Sequence, residues 1–295
     1  MLKGRTAIVT GAGGGLGRQH ALYLARKGAK VVVNDLTGSA AEAVASEIVE
    51  AGGEALAAAG SVTDVDAVQA MVDAAVSAWG RVDILVNNAG VLRDRSFAKM
   101  TLEDFRFVVD VHLMGAAICS KAVWDQMREQ AYGRIVMTTS SSGLYGNFGQ
   151  ANYGAAKLGQ VGLMQTLAIE GAKYNIRVNA LAPTAATQMT QGVLSDEGLR
   201  ALDPALVSPG LLALVHEDAP TRAILCAGAG HFAVSNITLT EGVRIGDGPD
   251  AGEALIQRWS EAAERAGELV PEFGFQQATR ELASAGVTGP VTARE

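Results

Sequence analysis

Three side chains in one short stretch have the types and spacing for proton transfer. Tyr153 and Lys157 are four apart, which puts both on one face of a helix. Apolar residues at Ala156, Val161, Leu163, Met164, Leu167 and Ala168 predict that helix over 153–174. Ser140 stands 13 residues before Tyr153, directly after the apolar run 134–139, which reads as a strand. A hydroxyl at a strand end would then face a phenol and an ammonium on the next helix. A free tyrosine titrates near ~10 and is a poor base at neutral pH. A neighbouring cation favours the phenolate. Lowering the phenol by about 3 units takes roughly 4 kcal/mol, within reach of nearby cations where the dielectric is reduced. Tyr153 would take the proton of an alcohol as hydride leaves its carbon. Ser140 would hydrogen-bond the same oxygen.

The elements that must position this trio alternate strand and helix from the start of the chain. That alternation predicts a parallel sheet covered on both faces. The first strand ends at Thr10 and runs into Gly11, Gly13, Gly15, Leu16 and Gly17, followed by a helix over 18–27. Glycines between strand and helix let a backbone approach a pyrophosphate, which the helix N-terminus then holds. The second strand, 30–34, ends at Asp35, 18 residues after Gly17. An acid at that distance suits the adenosine ribose hydroxyls and repels a 2′-phosphate, so NAD is the expected cofactor. Its cationic ring would be the second charge acting on Tyr153. Further helices are expected at 40–51, 64–79 and 101–127. Strands are expected at 55–59, 83–87, 177–182 and 223–227. Residues 184–209 carry few regular signals and are long for a connection, which suggests a lid. Residues 1–235 read as one catalytic domain and 236–295 as an extension, with a single amphipathic helix expected at 250–266.

Composition narrows the function classes. The 295 residues carry 35 glycines and a net charge of −7, which argues against nucleic-acid binding. Cys119 and Cys226 lie in apolar runs and read as buried free thiols, and no cluster has metal spacing. No uninterrupted apolar run has the roughly 18 residues of a membrane span. A strand begins at Thr6 and the last residues are Ala293, Arg294 and Glu295. We therefore expect neither a signal peptide nor a peroxisomal address, and a cytoplasmic protein.

Thr10-Gly-x-x-x-Gly15-x-Gly17, Asn88-Ala89-Gly90, Ser140 and Tyr153-x-x-x-Lys157 together resemble the signature of the short-chain dehydrogenase/reductases, over roughly residues 3–235. The resemblance implies an α/β fold, a Rossmann-type doubly wound seven-stranded parallel sheet, and Ser/Tyr/Lys catalysis. It also implies cofactor contacts at Asn88, Ala89, Gly90, Val62 and Pro183. Where the family has an Asn on the long helix, this chain has His112, whose main-chain carbonyl can keep that Asn's relay role. The carboxamide-binding Thr is shifted by one place, to Thr187. The runs 92–97, 111–113, 132–135 and 144–157 are similar to a subgroup, the (3R)-hydroxyacyl-CoA dehydrogenase domain of peroxisomal multifunctional enzyme type 2 and its single-domain bacterial relatives. That implies an acyl-CoA or steroid alcohol as substrate, with a 3-oxoacyl-(acyl-carrier-protein) reductase or a non-catalytic dinucleotide-binding regulator as alternatives. Arg93, Arg95 and Arg200 are candidates for the CoA phosphates. Met189, Val193, Leu194, Leu199 and Leu202 are candidates for the acyl slot. Family members form homodimers or homotetramers through the long helix and the Tyr153 helix. Gly115, Ala116, Ala117, Ala155, Ala156, Gly159 and Gly162 are the small residues that would allow close packing there.

Overall fold

The computed structural model describes residues 1–186 and 195–287. They form two compact units, Met1–Ser235 and Asn236–Glu295. The first unit alternates as expected: β1 (Thr6–Val9), α1 (Gly15–Arg26), β2 (Lys30–Asp35), α2 (Gly38–Glu50), β3 (Ala55–Ala59), α3 (Val65–Trp79) and β4 (Ile84–Asn87). Then follow α4 (Leu102–Val109), α5 (Gly115–Glu129), β5 (Gly133–Thr138), α6 (Ser141–Tyr145), α7 (Ala151–Gly171) and β6 (Ile176–Pro183). The unit ends with α8 (Asp196–Ala201), α9 (Ser208–Val215), β7 (Ile224–Gly228) and β8 (His231–Ser235).

The strands lie in the order β3-β2-β1-β4-β5-β6-β7-β8. The first seven are parallel. β8 is antiparallel to β7, an addition that the sequence reading did not foresee. It returns through a two-residue turn, Ala229 and Gly230, both at positive φ (51° and 74°), the backbone that a tight hairpin requires. β1, β4 and β5 are buried along their whole length, as strands covered on both faces must be. One face is packed by Leu24, Val44, Ile48, Leu211 and Val215. The other is packed by Met71, Val72, Val123, Met127 and Met164. Each such side chain, fully buried, contributes roughly 1.5–3 kcal/mol relative to exposure.

At the amino ends of the strands, buried Asp83 accepts from Arg5 Nη1 (3.0 Å), Arg81 Nη2 (2.6 Å) and the Thr6 amide (2.9 Å). Arg5 and Arg134 each stack on the Tyr132 ring, at 3.5 and 4.2 Å from its centroid. This clamp fixes strand register at the end away from the carboxyl edge, where ligands bind in such sheets.

Three expectations need correction. The single helix expected at 101–127 is α4 and α5 joined by a π-helical turn, Asp110–Met114. This stretch is apolar and long enough to cross a membrane by composition, with mean hydropathy 1.4, but Ala116, Cys119, Val123 and Met127 on its inner face pack into the core. The stretch 184–209, expected to be irregular, contains α8, a 3-10 turn at Pro204–Leu206 and the first residues of α9. Thr187, Met189, Val193 and Leu194 lie outside the described residues. Finally, the helix expected at 250–266 is two short ones, α10 (Ala251–Gln257) and α11 (Trp259–Ala262), because Arg258 leaves helical geometry at φ −104°, ψ 18°. An additional helix, α12 (Phe275–Ser284), follows. The second unit is tied by Arg280, whose guanidinium donates to the carbonyls of Leu239, Thr240 and Gly267.

Of the small residues expected at a subunit contact, Gly115, Ala116 and Ala156 are buried within the chain, while Ala155 and Gly162 are exposed. Gly115 is where a Cβ would meet Val62 at 2.6 Å. Both cysteines are free, Cys119 buried and Cys226 half-buried.

Candidate active site

Asp35 and Pro183 end their strands, Asn88 and Ser140 follow within two residues of theirs, and Tyr153 and Lys157 lie on α7. β1 hands over to the glycine loop at Thr10. Gly11 and Gly15 have φ of 61° and 50°, and a Cβ on Gly17 would come within 2.2 Å of the Gly11 carbonyl. At Gly11, Gly13 and Gly17 a Cβ would meet neighbouring atoms within 2.7 Å, so these positions admit no side chain. The loop leads into α1, whose N-cap, Gly14, supplies no side chain to its free amides. Asp35, at the end of β2, closes the loop from the side: Oδ2 accepts the Gly13 amide at 2.9 Å and Oδ1 the Thr37 amide at 3.3 Å.

Asn88 does not face a ligand alone; it locks this loop. Its Nδ2 donates to the carbonyls of Thr10 (2.9 Å) and Gly11 (3.1 Å), and the Thr10 hydroxyl accepts the Asn88 and Ala89 amides. Gly90 is required by His112, whose Cε1 sits 2.2 Å from where a Cβ would be. Leu16 packs against the core and Val62 is buried. Pro183 is the last residue of β6. These residues fit a dinucleotide: a glycine cradle, an uncapped helix N-terminus above it, and a carboxylate at the second strand end.

Ser140 follows β5 and is the N-cap of α6, its Oγ accepting the Ser142 amide at 3.2 Å. Gly143 lets α6 lie against α7, for a Cβ there would meet Lys157 Cβ at 2.7 Å. The Thr139 hydroxyl donates to the Lys157 carbonyl at 2.7 Å. The strand end carrying Ser140 is thereby bound to the helix carrying Tyr153 and Lys157, and the trio is assembled. Burial pushes the Tyr153 phenol up, the hydrogen bond with Ser140 opposes that, and Asp94 adds to the rise. Lys157 is buried, its Nζ donates to the Thr138 carbonyl, and burial lowers its pKa to about 7. Its Nζ lies 5.5 Å from the Tyr153 ring centroid. Of the two cations expected to lower this phenol, Lys157 lies beside it, and with Lys157 alone burial still sets the direction of the Tyr153 shift.

His112 stands on the π turn. Its Nε2 faces both the amide (3.0 Å) and the carbonyl (2.8 Å) of Val91, and its ring meets Tyr153 edge to face at 5.1 Å. Burial, with a contribution from Lys157, lowers it to about 3, so it is neutral at physiological pH. Its main-chain carbonyl accepts the Gln160 amide at 2.9 Å.

The loop after Gly90 is pinned over this site. The Arg95 amide donates to the Gly149 carbonyl (2.9 Å), Gln150 Nε2 to Asp94 (2.7 Å) and Asn152 Nδ2 to the Arg93 carbonyl (3.1 Å). Thr138, Asp94, Asn152 and Gln160 were not anticipated as parts of the site. Asn152 and Gln160 carried a signal, since they border Tyr153 or continue its helix face. Asp94 reaches the site only through the loop's conformation. A groove of about 920 Å³ lies elsewhere, between α3 and α5, and none of the trio lines it.

Residues 5–198 match the short chain dehydrogenase family. The chain is a short-chain dehydrogenase/reductase. This short-chain dehydrogenase is 52% identical over 223 residues to the peroxisomal multifunctional enzyme type 2 of Drosophila melanogaster, a match covering 72% of the chain and 37% of that protein. It is 45% identical to a short-chain type dehydrogenase/reductase of Mycobacterium tuberculosis, over 91% of the chain and 97% of the other. The structure of the full-length Drosophila enzyme superposes with a TM-score of 0.81 at 38% identity, covering 96% of this chain and 49% of that one. A 7α-hydroxysteroid dehydrogenase solved with NADH and a 7-oxo bile acid gives 0.72 at 32% identity, covering 78% of this chain and 94% of that one. This short-chain dehydrogenase thus spans less than half the length of the Drosophila multifunctional enzyme.

Proposed function

We propose that this short-chain dehydrogenase oxidises a secondary alcohol to a ketone with NAD, and that its foremost substrate is a (3R)-3-hydroxyacyl-CoA. The observation that carries the reaction type is the joining of Ser140, Tyr153 and Lys157 beside a glycine cradle closed by Asp35. Tyr153 removes the hydroxyl proton. Ser140 donates to the same oxygen and holds it. Lys157, on the same helix face, passes protons to and from the phenol. NAD, when bound, accepts the hydride and brings a positive charge next to Tyr153, the cation that a buried phenol needs. The similarity to multifunctional enzyme type 2 supports the acyl-CoA substrate, and that to 7α-hydroxysteroid dehydrogenase favours a steroid alcohol as the second reading. The alternative of an acyl-carrier-protein reductase has support in a 45% identity to such an enzyme from Synechocystis over 194 residues. A two-fold homo-oligomer is part of the proposal.

Asp35 decides the cofactor. Each carboxylate oxygen already takes one backbone amide and retains a lone pair for a ribose hydroxyl. A 2′-phosphate would meet this negative charge at close range. We expect catalytic efficiency with NAD to exceed that with NADP at least ~10-fold, about 1.4 kcal/mol, and Asp35→Ala to narrow the gap. Equal efficiency with both cofactors would refute the assignment.

For the CoA phosphates, the structure separates the candidate arginines. Arg93 is engaged with Asp104 (3.8 Å), the Phe107 ring and the Leu92 carbonyl. Arg95 is exposed and makes no ion pair among the described residues. It sits on the loop tied to Gly149, and Phe97 and Phe148, which neighbour the two ends of that tie in sequence, are exposed. The test is a panel of R and S 3-hydroxyacyl-CoA, acyl-carrier substrate and steroid alcohol. Oxidation of the R thioester is expected, with KM rising several-fold in salt or on Arg95→Ala, because an exposed cation is screened. A steroid KM should not move. Preference for the S thioester would overturn the acyl-CoA assignment.

A further inference from the structure

We infer that Gln160 is a positioning residue of this site: it anchors the π turn that carries His112 to the helix that carries Tyr153 and Lys157. The inference rests on the Ser/Tyr/Lys reading. Residues 153, 157 and 160 follow one another at i, i+4 and i+7, so they share one face of α7. Gln160 is 1% exposed. Its Nε2 donates to the His112 carbonyl at 2.9 Å, a contact made from outside the long helix to its widened turn. π turns are commonly found at functional sites. Its Oε1 has no partner, and a buried carboxamide oxygen left unpaired costs stability. An apolar side chain of the same length would fill the space without that cost, so the hydrogen bond to His112 is the property in which glutamine differs.

What the anchor positions is visible on the other side of the turn. The His112 ring is wedged between the Val91 main chain and the edge of Tyr153, with no room even for a methyl group at Gly90. A shift of the His112 backbone therefore moves both the wall of the phenol's pocket and the loop leading to Arg95. Displacements of this kind are costly for reaction geometry. Gln160 never reaches the substrate; it acts through His112.

The experiment uses the full chain with NAD and compares wild type, Gln160→Leu, Gln160→Met, Gln160→Glu and Tyr153→Phe, measuring kcat, KM for NAD and Tm across pH. Leu and Met cannot donate: we expect kcat about 10-fold lower, unchanged KM for NAD, and Tm at or above wild type. Either variant suffices if the other fails to fold. Glu can donate to the carbonyl only when protonated, so its kcat relative to wild type should rise as pH falls, while the Leu and Met ratios stay flat. Lys157 and His112, the titratable neighbours, are common to all these proteins. Wild-type kcat in Gln160→Leu or Gln160→Met would overturn the inference. So would parallel losses of kcat and Tm with a flat pH ratio for Gln160→Glu. An active Tyr153→Phe protein would instead overturn the Ser/Tyr/Lys reading beneath it.

Discussion

Tyr153→Phe is expected to lower alcohol oxidation at least ~100-fold while NAD still binds. The substitution keeps the ring that meets His112 edge to face, so the pocket wall and the fold are retained. It removes the one oxygen that can take the substrate proton, together with its hydrogen bond to Ser140. Neither neighbour replaces it: His112 is neutral with Nε2 committed to Val91, and the Lys157 amine donates to Thr138. Steady-state rates alongside fluorescence titration of NAD separate the two outcomes. A phenylalanine variant that turns over near the wild-type rate would remove Tyr153 from the proposed chemistry. Loss of NAD binding would show that the hydroxyl is needed to hold the cofactor, so that the fall in rate could not be assigned to proton transfer alone.

Lys157→Met should show an equally large fall in rate and an opposite change in stability. Burial brings the folded-state pKa of Lys157 to about 7, against about 10.4 in an unfolded chain. Between those values the unfolded chain holds more protons, so wild-type stability should gain about 1.4 kcal/mol per pH unit from this group as pH rises. Below pH ~7 both states are protonated and the full cost of burying the ammonium is present. Methionine fills the same channel without a charge. It should therefore be the more stable protein near neutrality, with the difference shrinking towards pH ~10.4. Denaturant midpoints at several pH values test this. A constant difference between the two proteins would mean that the lysine is not desolvated as its surroundings imply.

The sheet, the glycine cradle and the Ser/Tyr/Lys trio were legible because each rests on local chemistry: periodicity, glycines between a strand and a helix, and a fixed spacing on one helix. The remainder depends on contacts distant in sequence. The π turn at Asp110–Met114 has no helix-breaking residue to announce it, and shows only once Gln160 and Val91 are seen against His112. The lowered Lys157 is a consequence of burial, which spacing cannot report. β8 is different. Ala229 and Gly230 form a two-residue turn between apolar runs, and the hairpin was readable there. At 250–266 periodicity predicted one helix where Arg258 interrupts it, pairing with Glu261 at 2.7 Å.

The placement of β1 between β2 and β4 has a consequence for assembly of the chain in time. β2 is the next strand to be made, but the partners on the other flank arrive far later. The Thr6 amide is satisfied by Asp83, and the Thr10 and Gly11 carbonyls by Asn88, contacts spanning 77 or 78 residues. A growing polypeptide can thus pair β1 with β2 early, yet it holds the cofactor cradle unlocked until β4 has left the ribosome. Such long-range closure is slow, since loop entropy is lost before the contacts repay it. The slowest pairing is therefore expected at the centre of the sheet and not at its edges. During that interval the backbone edge of β1 that pairs with β4 is left open, and an unpaired strand edge is a template for wrong pairing.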